Sequence, residues 1–452
     1  MKVLLVATNT LMEPYPVYPL GLDYVAAAIA KQHQVHITDL NGADGYEGLK
    51  IAIREFTPDI IGLSLRNIDN TDTTDPRGFV GQYRDIVDAI RSQSDARLIL
   101  GGSGFTIFPA ETLQALGADF GIVGEGERLA PLLSAIENNQ DVDNLPGVIV
   151  AGGNAGVPEP WEGDISRRLA PDPICRRFYL EHGGMLNLQT KRGCHYKCVY
   201  CTYPRIEGHR LRLTDPDAAA KAALELQKNG ARYFFITDSV FNADIVHSLA
   251  VARAFKKYGV SIPWGAFFTP LKQPTDYFNI LADAGLTHVE FGTDSLSNVV
   301  LASYRKPFRD QRVFQVHGEA IDAGLYVAHY FLLGGVGENE RTLAETLDKA
   351  DTLEKSALFF FCGMRIYPGT ELYRIALKEG QVQENRSILE PVFYRSPMVG
   401  PEEIVKQLNE KAGGRINWVT GSGGEDTANI IRRLYQRGHT GPMWDYLIRF
   451  SY

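Results

Sequence analysis

The chain has 452 residues, 44% hydrophobic and 22% charged, which is globular composition at a length that predicts two to four domains. Its net charge of −8 supplies no global basic field to hold nucleic acid, and 44 glycines and 23 prolines are too few for a collagenous or low-complexity chain. No run of 18 apolar residues occurs, so no membrane span is expected.

The N-terminus carries one charge and a short apolar run before Thr8-Asn9-Thr10, and reads as a buried strand over 2–7 rather than a signal peptide. Leu20, Tyr24, Val25, Ala28 and Ile29 recur at helical spacing and predict a helix over 20–32. Further strands are predicted at 35–38, 59–65, 97–100 and 120–123, the last two running into Gly101-Gly102-Ser103-Gly104 and Gly124-Glu125-Gly126-Glu127. Strands alternating with helices predict an α/β, doubly wound parallel, Rossmann-like domain over 1–145. Its ligand belongs outside the carboxyl ends of the strands, at 7–10, 65–70, 101–106 and 124–127.

Residues 146–183 hold proline, glycine and charge without a period and read as a linker. A second β/α series follows, with strands predicted at 185–189, 233–237, 262–268, 288–291, 327–333 and 358–366. Six such units fit a full or partial TIM-type barrel over 184–382, with active residues at the C-terminal strand ends. Residues 383–452 carry Trp418, Tyr435, Trp444, Tyr446, Phe450 and Tyr452 and read as a small helical cap.

Three of the five cysteines fall within eight residues, in Cys194-His195-Tyr196-Lys197-Cys198-Val199-Tyr200-Cys201, directly after the first barrel strand. That usage points to a reducing cytoplasm rather than a disulfide framework. Three thiolates in one loop suit an iron–sulfur cluster. A 4Fe–4S cube with three protein ligands keeps one iron open to a small molecule. The competing reading is zinc, for which His195 is too crowded and His182 or His209 would have to close the site. Cys175, in the linker, and Cys362, within a barrel strand, read as core or neutral residues.

This Cys-x3-Cys-x-aromatic-Cys loop, with Tyr200 at the aromatic position, resembles the signature of the radical S-adenosylmethionine (SAM) superfamily. The resemblance implies that Cys194, Cys198 and Cys201 hold the cluster. The open iron would then bind SAM, and an electron from an external donor such as flavodoxin or ferredoxin would cleave it to a 5′-deoxyadenosyl radical. Later segments resemble the superfamily's SAM-contacting strand ends. They are Asp238-Ser239, Glu290 with Thr293-Asp294-Ser295, Gly335, and Arg365-Ile366-Tyr367. Thr237-Asp238-Ser239 departs from the common Gly-Gly-Glu.

The first domain lacks a dinucleotide fingerprint, a P-loop and a Gly-x-Ser-x-Gly elbow. It resembles the cobalamin-binding domain that precedes the barrel in one large radical SAM subfamily. The carrying segments are Tyr18-Pro19-Leu20-Gly21-Leu22, Asp59-Ile60-Ile61-Gly62-Leu63-Ser64, the Gly101–Gly104 loop and residues 118–127. The expected corrin contacts are Thr8, Asn9, Leu65, Arg66, Asn67, Gly101, Gly102, Ser103, Gly104, Glu125 and Gly126. Small residues there would let a flat macrocycle approach the backbone. The Asp-x-His-x-x-Gly motif is absent, so no histidine is expected below the cobalt. Arg66 is the candidate for that face, with simple turn capping by Arg66 and Asn67 as the competing reading.

By resemblance, the implied activity is methylation of an unactivated carbon of a small-molecule or lipid-like substrate through methylcobalamin. Cyclisation or rearrangement without methyl transfer, and a transfer-RNA methylthiotransferase, are the alternatives. The acidic charge and lack of a basic appended domain argue against the last. Leu358-Phe359-Phe360-Phe361 admits a hydrophobic substrate but reads first as core.

Overall fold

The computed structural model describes residues 1–452 except 13–14, 43, 74–75, 154–155, 157, 168, 170–172, 422–423, 450 and 452. Phe450 and Tyr452 of the expected cap, and the side chain of Cys175, therefore lie outside the described residues.

The first sheet has the order β2-β1-β3-β4-β5-β6. Its strands are β1 (Lys2–Ala7), β2 (Gln34–Asp39), β3 (Ile60–Ser64), β4 (Arg97–Gly101), β5 (Phe120–Ile122) and β6 (Val148–Val150). The first five run parallel, and β6 adds an antiparallel edge. The central strands read as continuous apolar runs because helices cover both faces. Val3, Leu5, Ile60 and Ile99 pack on the helix Leu20–Ile29 side. Leu4, Val6, Ile61, Leu63 and Leu98 face Tyr83, Ile86 and Ile90 of the helix Val80–Arg91.

Two elements fall inside the expected linker, β6 and a helix over Pro173–Glu181. Three strand residues beside glycine are too few to establish a period, which is why β6 escapes a pattern reading. Tyr179 of that helix donates to Asp39 at the end of β2 (2.6 Å) and fixes the connection to the first domain.

The second sheet begins with β7 (Met185–Leu188), followed by a two-residue hairpin of β8 (Lys191–Arg192) and β9 (Arg212–Leu213). It continues through β10 (Tyr233–Ile236), β11 (Trp264–Phe268), β12 (Leu286–Asp294), β13 (Tyr326–Leu333) and β14 (Ser356–Cys362). A small antiparallel pair, β15 (Met364–Arg365) with β16 (Phe393–Tyr394), stands beyond it. The order is β17-β14-β13-β12-β11-β10-β7, all parallel, with β17 (Trp418–Thr420) as the seventh strand. No pairing joins β7 to β17 among the described residues, so the barrel is incomplete.

The C-terminal region differs from the expected helical cap in two ways. It contributes β17 to the barrel sheet, and its Met443, Trp444 and Ile448 pack against residues at the starts of the barrel strands. Trp444 meets His288 edge-on at 5.0 Å. This segment plugs the N-terminal end of the barrel rather than covering its mouth. The two sheets share a core at their seam, where Leu65, Phe105 and Phe108 join Tyr304, Ile366 and Tyr394. Among the described residues, no helix is long and apolar enough to cross a membrane.

Candidate active site

A cavity of about 520 Å³ opens between the carboxyl ends of the first sheet and the mouth of the barrel. The first domain lines it with Thr8, Asn9, Arg66, Asn67, the Gly101–Gly104 loop, Glu125 and Gly126. The barrel lines it with Asn187, Gln189, Thr202, Tyr203, Thr237 and Tyr367. Of the expected corrin contacts only Leu65 is missing from the wall. It directly follows β3 and is fully buried on the core side, because successive residues of an extended chain face opposite ways.

The glycines divide into two kinds. Gly102 has φ +99, and a Cβ there would lie 2.6 Å from the Leu65 carbonyl. At Gly104 it would lie 2.9 Å from the Asn67 backbone. Both are required by close packing of the β3 and β4 loops, not by a ligand. Gly101 is different: its nearest neighbour would be Ile122 at 3.9 Å, so its missing side chain leaves open room at the cavity floor.

Arg66 extends into this cavity, and desolvation there lowers the pKa of its guanidinium, with nearby tyrosines opposing. Among the described residues no carboxylate pairs with it, while its carbonyl accepts from Ser103 Oγ (2.7 Å). The buried Nδ2 of Asn9 also lacks a partner. Glu125 lines the wall, but its carboxylate accepts from Arg192 (2.7 Å) and Arg212 (2.9 Å). Arg192 also pairs with Glu127 at 2.7 Å. These acids clasp the barrel to the first domain.

The cysteine loop leaves β8 through Gly193 (φ +88), where a Cβ would collide with the Arg210 carbonyl at 2.1 Å. Cys194 N donates to Gly208 O, Cys201 N to Cys198 O and Val199 N to Tyr304 O, at 3.1 to 3.2 Å. The three thiols are free. Burial raises the Cys198 thiol and pushes Cys201 up to about 12, while Lys306 favours both thiolates. Each thiol lies within electrostatic reach of the others. Among the described residues, no three His, Cys, Asp or Glu converge on one ion-sized point. Three soft thiolates spread around a loop suit the corners of a cluster better than a mononuclear zinc site.

The expected SAM contacts scatter. Asp238 is fully buried and saturated by Thr190 N (2.7 Å), Thr190 Oγ1 (2.6 Å) and Lys191 Nζ (2.8 Å), so it braces the β7–β8 turn. Ser239 stays half-buried near the loop, donating to Gly193 O. Thr293 bonds His329 Nδ1 (2.7 Å) and Ser295 bonds Thr346 (2.9 Å), both on the helix side of the sheet. Glu290 faces inward but lies deep, accepting from Trp444 Nε1 (2.8 Å) and Tyr330 (3.0 Å); burial raises its carboxyl to about 7. Gly335 makes room for Tyr304, whose hydroxyl would lie 2.2 Å from a Cβ. Arg365 pairs with Asp69 (2.6 Å), and Ile366 is core. Tyr200 and Asp294 remain beside the cysteines, and Tyr367 on the cavity wall.

The radical SAM superfamily matches residues 188–350, and the B12 binding domain matches residues 12–134. The chain is a B12-binding domain joined to a radical SAM domain. A tryptophan 2-C-methyltransferase of Streptomyces laurentii is 23% identical over 425 residues, spanning 78% of this chain and 71% of that protein. A cytidylyl-2-hydroxyethylphosphonate methyltransferase of Streptomyces wedmorensis is 24% identical, with 83% and 80% covered. The fold matches that of the radical SAM methyltransferase TsrM from Kitasatospora setae, solved with tryptophan and a SAM analog. That likeness has a TM-score of 0.85 at 21% identity, covering 99% of this chain and 98% of that one. It also matches the cobalamin-dependent SAM radical enzyme OxsB, at a TM-score of 0.70 and 14% identity, covering 100% and 78%.

Several residues around this cavity and the cysteine loop carry no mark in the sequence. Lys306 and the clasp arginines Arg192 and Arg212 acquire their partners only through tertiary contact. Thr202 and Tyr203, directly after Cys201, could have been flagged by position alone.

Proposed function

We propose that this protein methylates an unactivated carbon of a small molecule, drawing on cobalamin and SAM held at one cavity. The observation that carries the reading is the shared wall: Arg66 and the Gly101–Gly104 loop face Thr202 and Tyr203 across it, and those two directly follow Cys201. A substrate in that space would lie between the corrin-side loops and the residues that follow the cysteine loop. When bound, the cluster and SAM supply a substrate-activating radical and cobalamin supplies the methyl group.

The chain's own residues position and enclose. Cys194, Cys198 and Cys201 are the three thiolate ligands of a 4Fe–4S cluster. Gly101 leaves the floor open to a corrin, Asn9 Nδ2 offers an unused donor, and Arg66 brings a cation into the cavity that would disfavour a water or base on cobalt bound beside it. Tyr200, Ser239 and Tyr367 are the SAM contacts best supported by their placement. The names of the relatives, acting on tryptophan and on a cytidylyl phosphonate, favour a small molecule. Phe235, Phe267 and Phe361 on the lumen side of the barrel favour an apolar portion of it. A cytoplasmic setting with a flavodoxin or ferredoxin as electron donor fits the three free thiols.

Anaerobic turnover with SAM carrying a deuterated methyl group tests the reading. A product three deuterium masses heavier is expected from an accepted substrate, together with 5′-deoxyadenosine. Deoxyadenosine with no labelled product from any apolar small molecule tried would instead favour rearrangement.

A further inference from the structure

The segment between Cys198 and Cys201 is clamped between the chain that leaves β12 and the helix Glu371–Lys378. Val199 N donates to Tyr304 O (3.2 Å), and its carbonyl accepts from Leu372 N (2.8 Å). Tyr200 donates to Asp294 Oδ2 (2.5 Å), and its ring stands edge-on to Tyr304 at 6.3 Å. The same Asp294 oxygen lies 2.9 Å from Lys306 Nζ. Lys306 and Asp294 are 6% and 5% exposed at the side chain, so this is a buried pair.

The pair is built at some cost. Asp294 has φ +60, a left-handed conformation disfavoured for a side chain with a Cβ, just after the register shift in β12. Burying a lysine is costly unless something nearby needs its charge. Asp294 is its single carboxylate partner among the described residues. The other side chain on that carboxylate oxygen is Tyr200, which stands between Cys198 and Cys201 in the chain, so the lysine is fixed beside the cysteine loop.

We propose that Lys306, oriented by Asp294, is the positioning residue that balances the charge of the iron–sulfur cluster and favours its reduced state. The proposal rests on the reading of Cys194, Cys198 and Cys201 as the cluster ligands. Three thiolates leave an oxidised 4Fe–4S cluster with a net charge of −1, and reduction adds another. A fixed buried cation stabilises the more negative state, so it raises the reduction potential. No substrate contact is required of Lys306. It acts through the cluster, and Tyr200 couples its orientation to the loop that carries the ligands.

A redox titration of the reconstituted full-length protein, followed by electron paramagnetic resonance, tests this. In Lys306→Met, with iron content equal to wild type, the ratio of reduced to oxidised cluster at a fixed poise should fall about tenfold. For a one-electron couple that is a midpoint about 59 mV lower. Lys306→Arg should restore most of the shift. An unchanged midpoint in Lys306→Met would overturn the proposal. So would failure of both Lys306→Met and Lys306→Gln to take up iron while Lys306→Arg does, which would make the lysine a requirement for assembly instead. A wild-type protein that takes up no cluster would defeat the reading of the cysteine loop itself.

Discussion

Asp69 of the B12-binding domain and Arg365 of β15, beyond the last central barrel strand, form a buried ion pair, Nε to Oδ2 2.6 Å apart, at the seam between the two sheets. Arg365 also donates to the carbonyls of Ile366 (2.7 Å) and Ile388 (2.8 Å), and lies over the rings of Phe108 and Tyr367. One guanidinium thus holds three chain segments together beside the cavity. Breaking a buried pair from one side leaves an uncompensated charge, at about 3–5 kcal/mol. Arg365→Ala should lower stability by that order in a denaturant melt. Arg365→Lys should rescue little of it, because an ammonium cannot reproduce the fork. A melt of Arg365→Ala that overlays wild type would contradict this.

The two kinds of glycine should separate in mutagenesis. Gly102→Ala forces a Cβ toward the Leu65 carbonyl at a left-handed position and should destabilise the fold by roughly 1–3 kcal/mol. Gly101→Ala meets nothing closer than 3.9 Å and should fold normally while binding corrinoid more weakly. Equilibrium binding of cobalamin, read beside thermal melts of both variants, checks the pair. Normal corrinoid affinity in Gly101→Ala would remove the case for an open floor.

Arg66 predicts a spectroscopic signature. With the cation removed in Arg66→Ala, water should reach the lower face of bound cobalt, visible in the paramagnetic resonance spectrum of the Co(II) form. A spectrum identical to wild type would return Arg66 to a turn-capping role.

Burial raises the carboxyls of Glu290 and Glu338 to about 7, against an ordinary value of 4.5. The folded chain then holds protons that the unfolded chain has released. This contribution to stability is complete below pH 4.5 and is lost as pH rises through 7. Between pH 5.5 and pH 8 these carboxyls lower the melting temperature of the cofactor-free protein, while the buried imidazoles of His317 and His329, held below their ordinary value, raise it. Glu290→Gln should shift the slope upward by removing its share of the loss, each pKa unit being worth about 1.4 kcal/mol. Equal slopes in the two proteins would show that Glu290 is already ionised in the fold.

Much of this architecture is legible in the sequence, because buried parallel strands leave apolar runs and the cysteine spacing is specific. What escapes has physical causes. β6 and β17 are three residues long, too short to establish an alternation. A strand end also says little about which way each side chain turns. Thr293 and Ser295 sit on the helix side, while Glu290 faces the lumen but is occupied by Trp444, which comes back from residues 440–449. Asp238 is spent inside the protein on Thr190 and Lys191. Nothing in Arg305-Lys306-Pro307 marks a residue beside the cysteine loop; only the folded chain brings it to Asp294.

Iron and cobalt counted in one anaerobic preparation, for wild type and for Cys198→Ala, test most directly whether two cofactors meet at this cavity. Wild type should hold about four irons and one cobalt per chain. Cys198→Ala should lose the iron and all deoxyadenosine formation while keeping the cobalt. Wild-type protein that binds iron but no cobalt when offered cobalamin, or Cys198→Ala that still cleaves SAM, would contradict it.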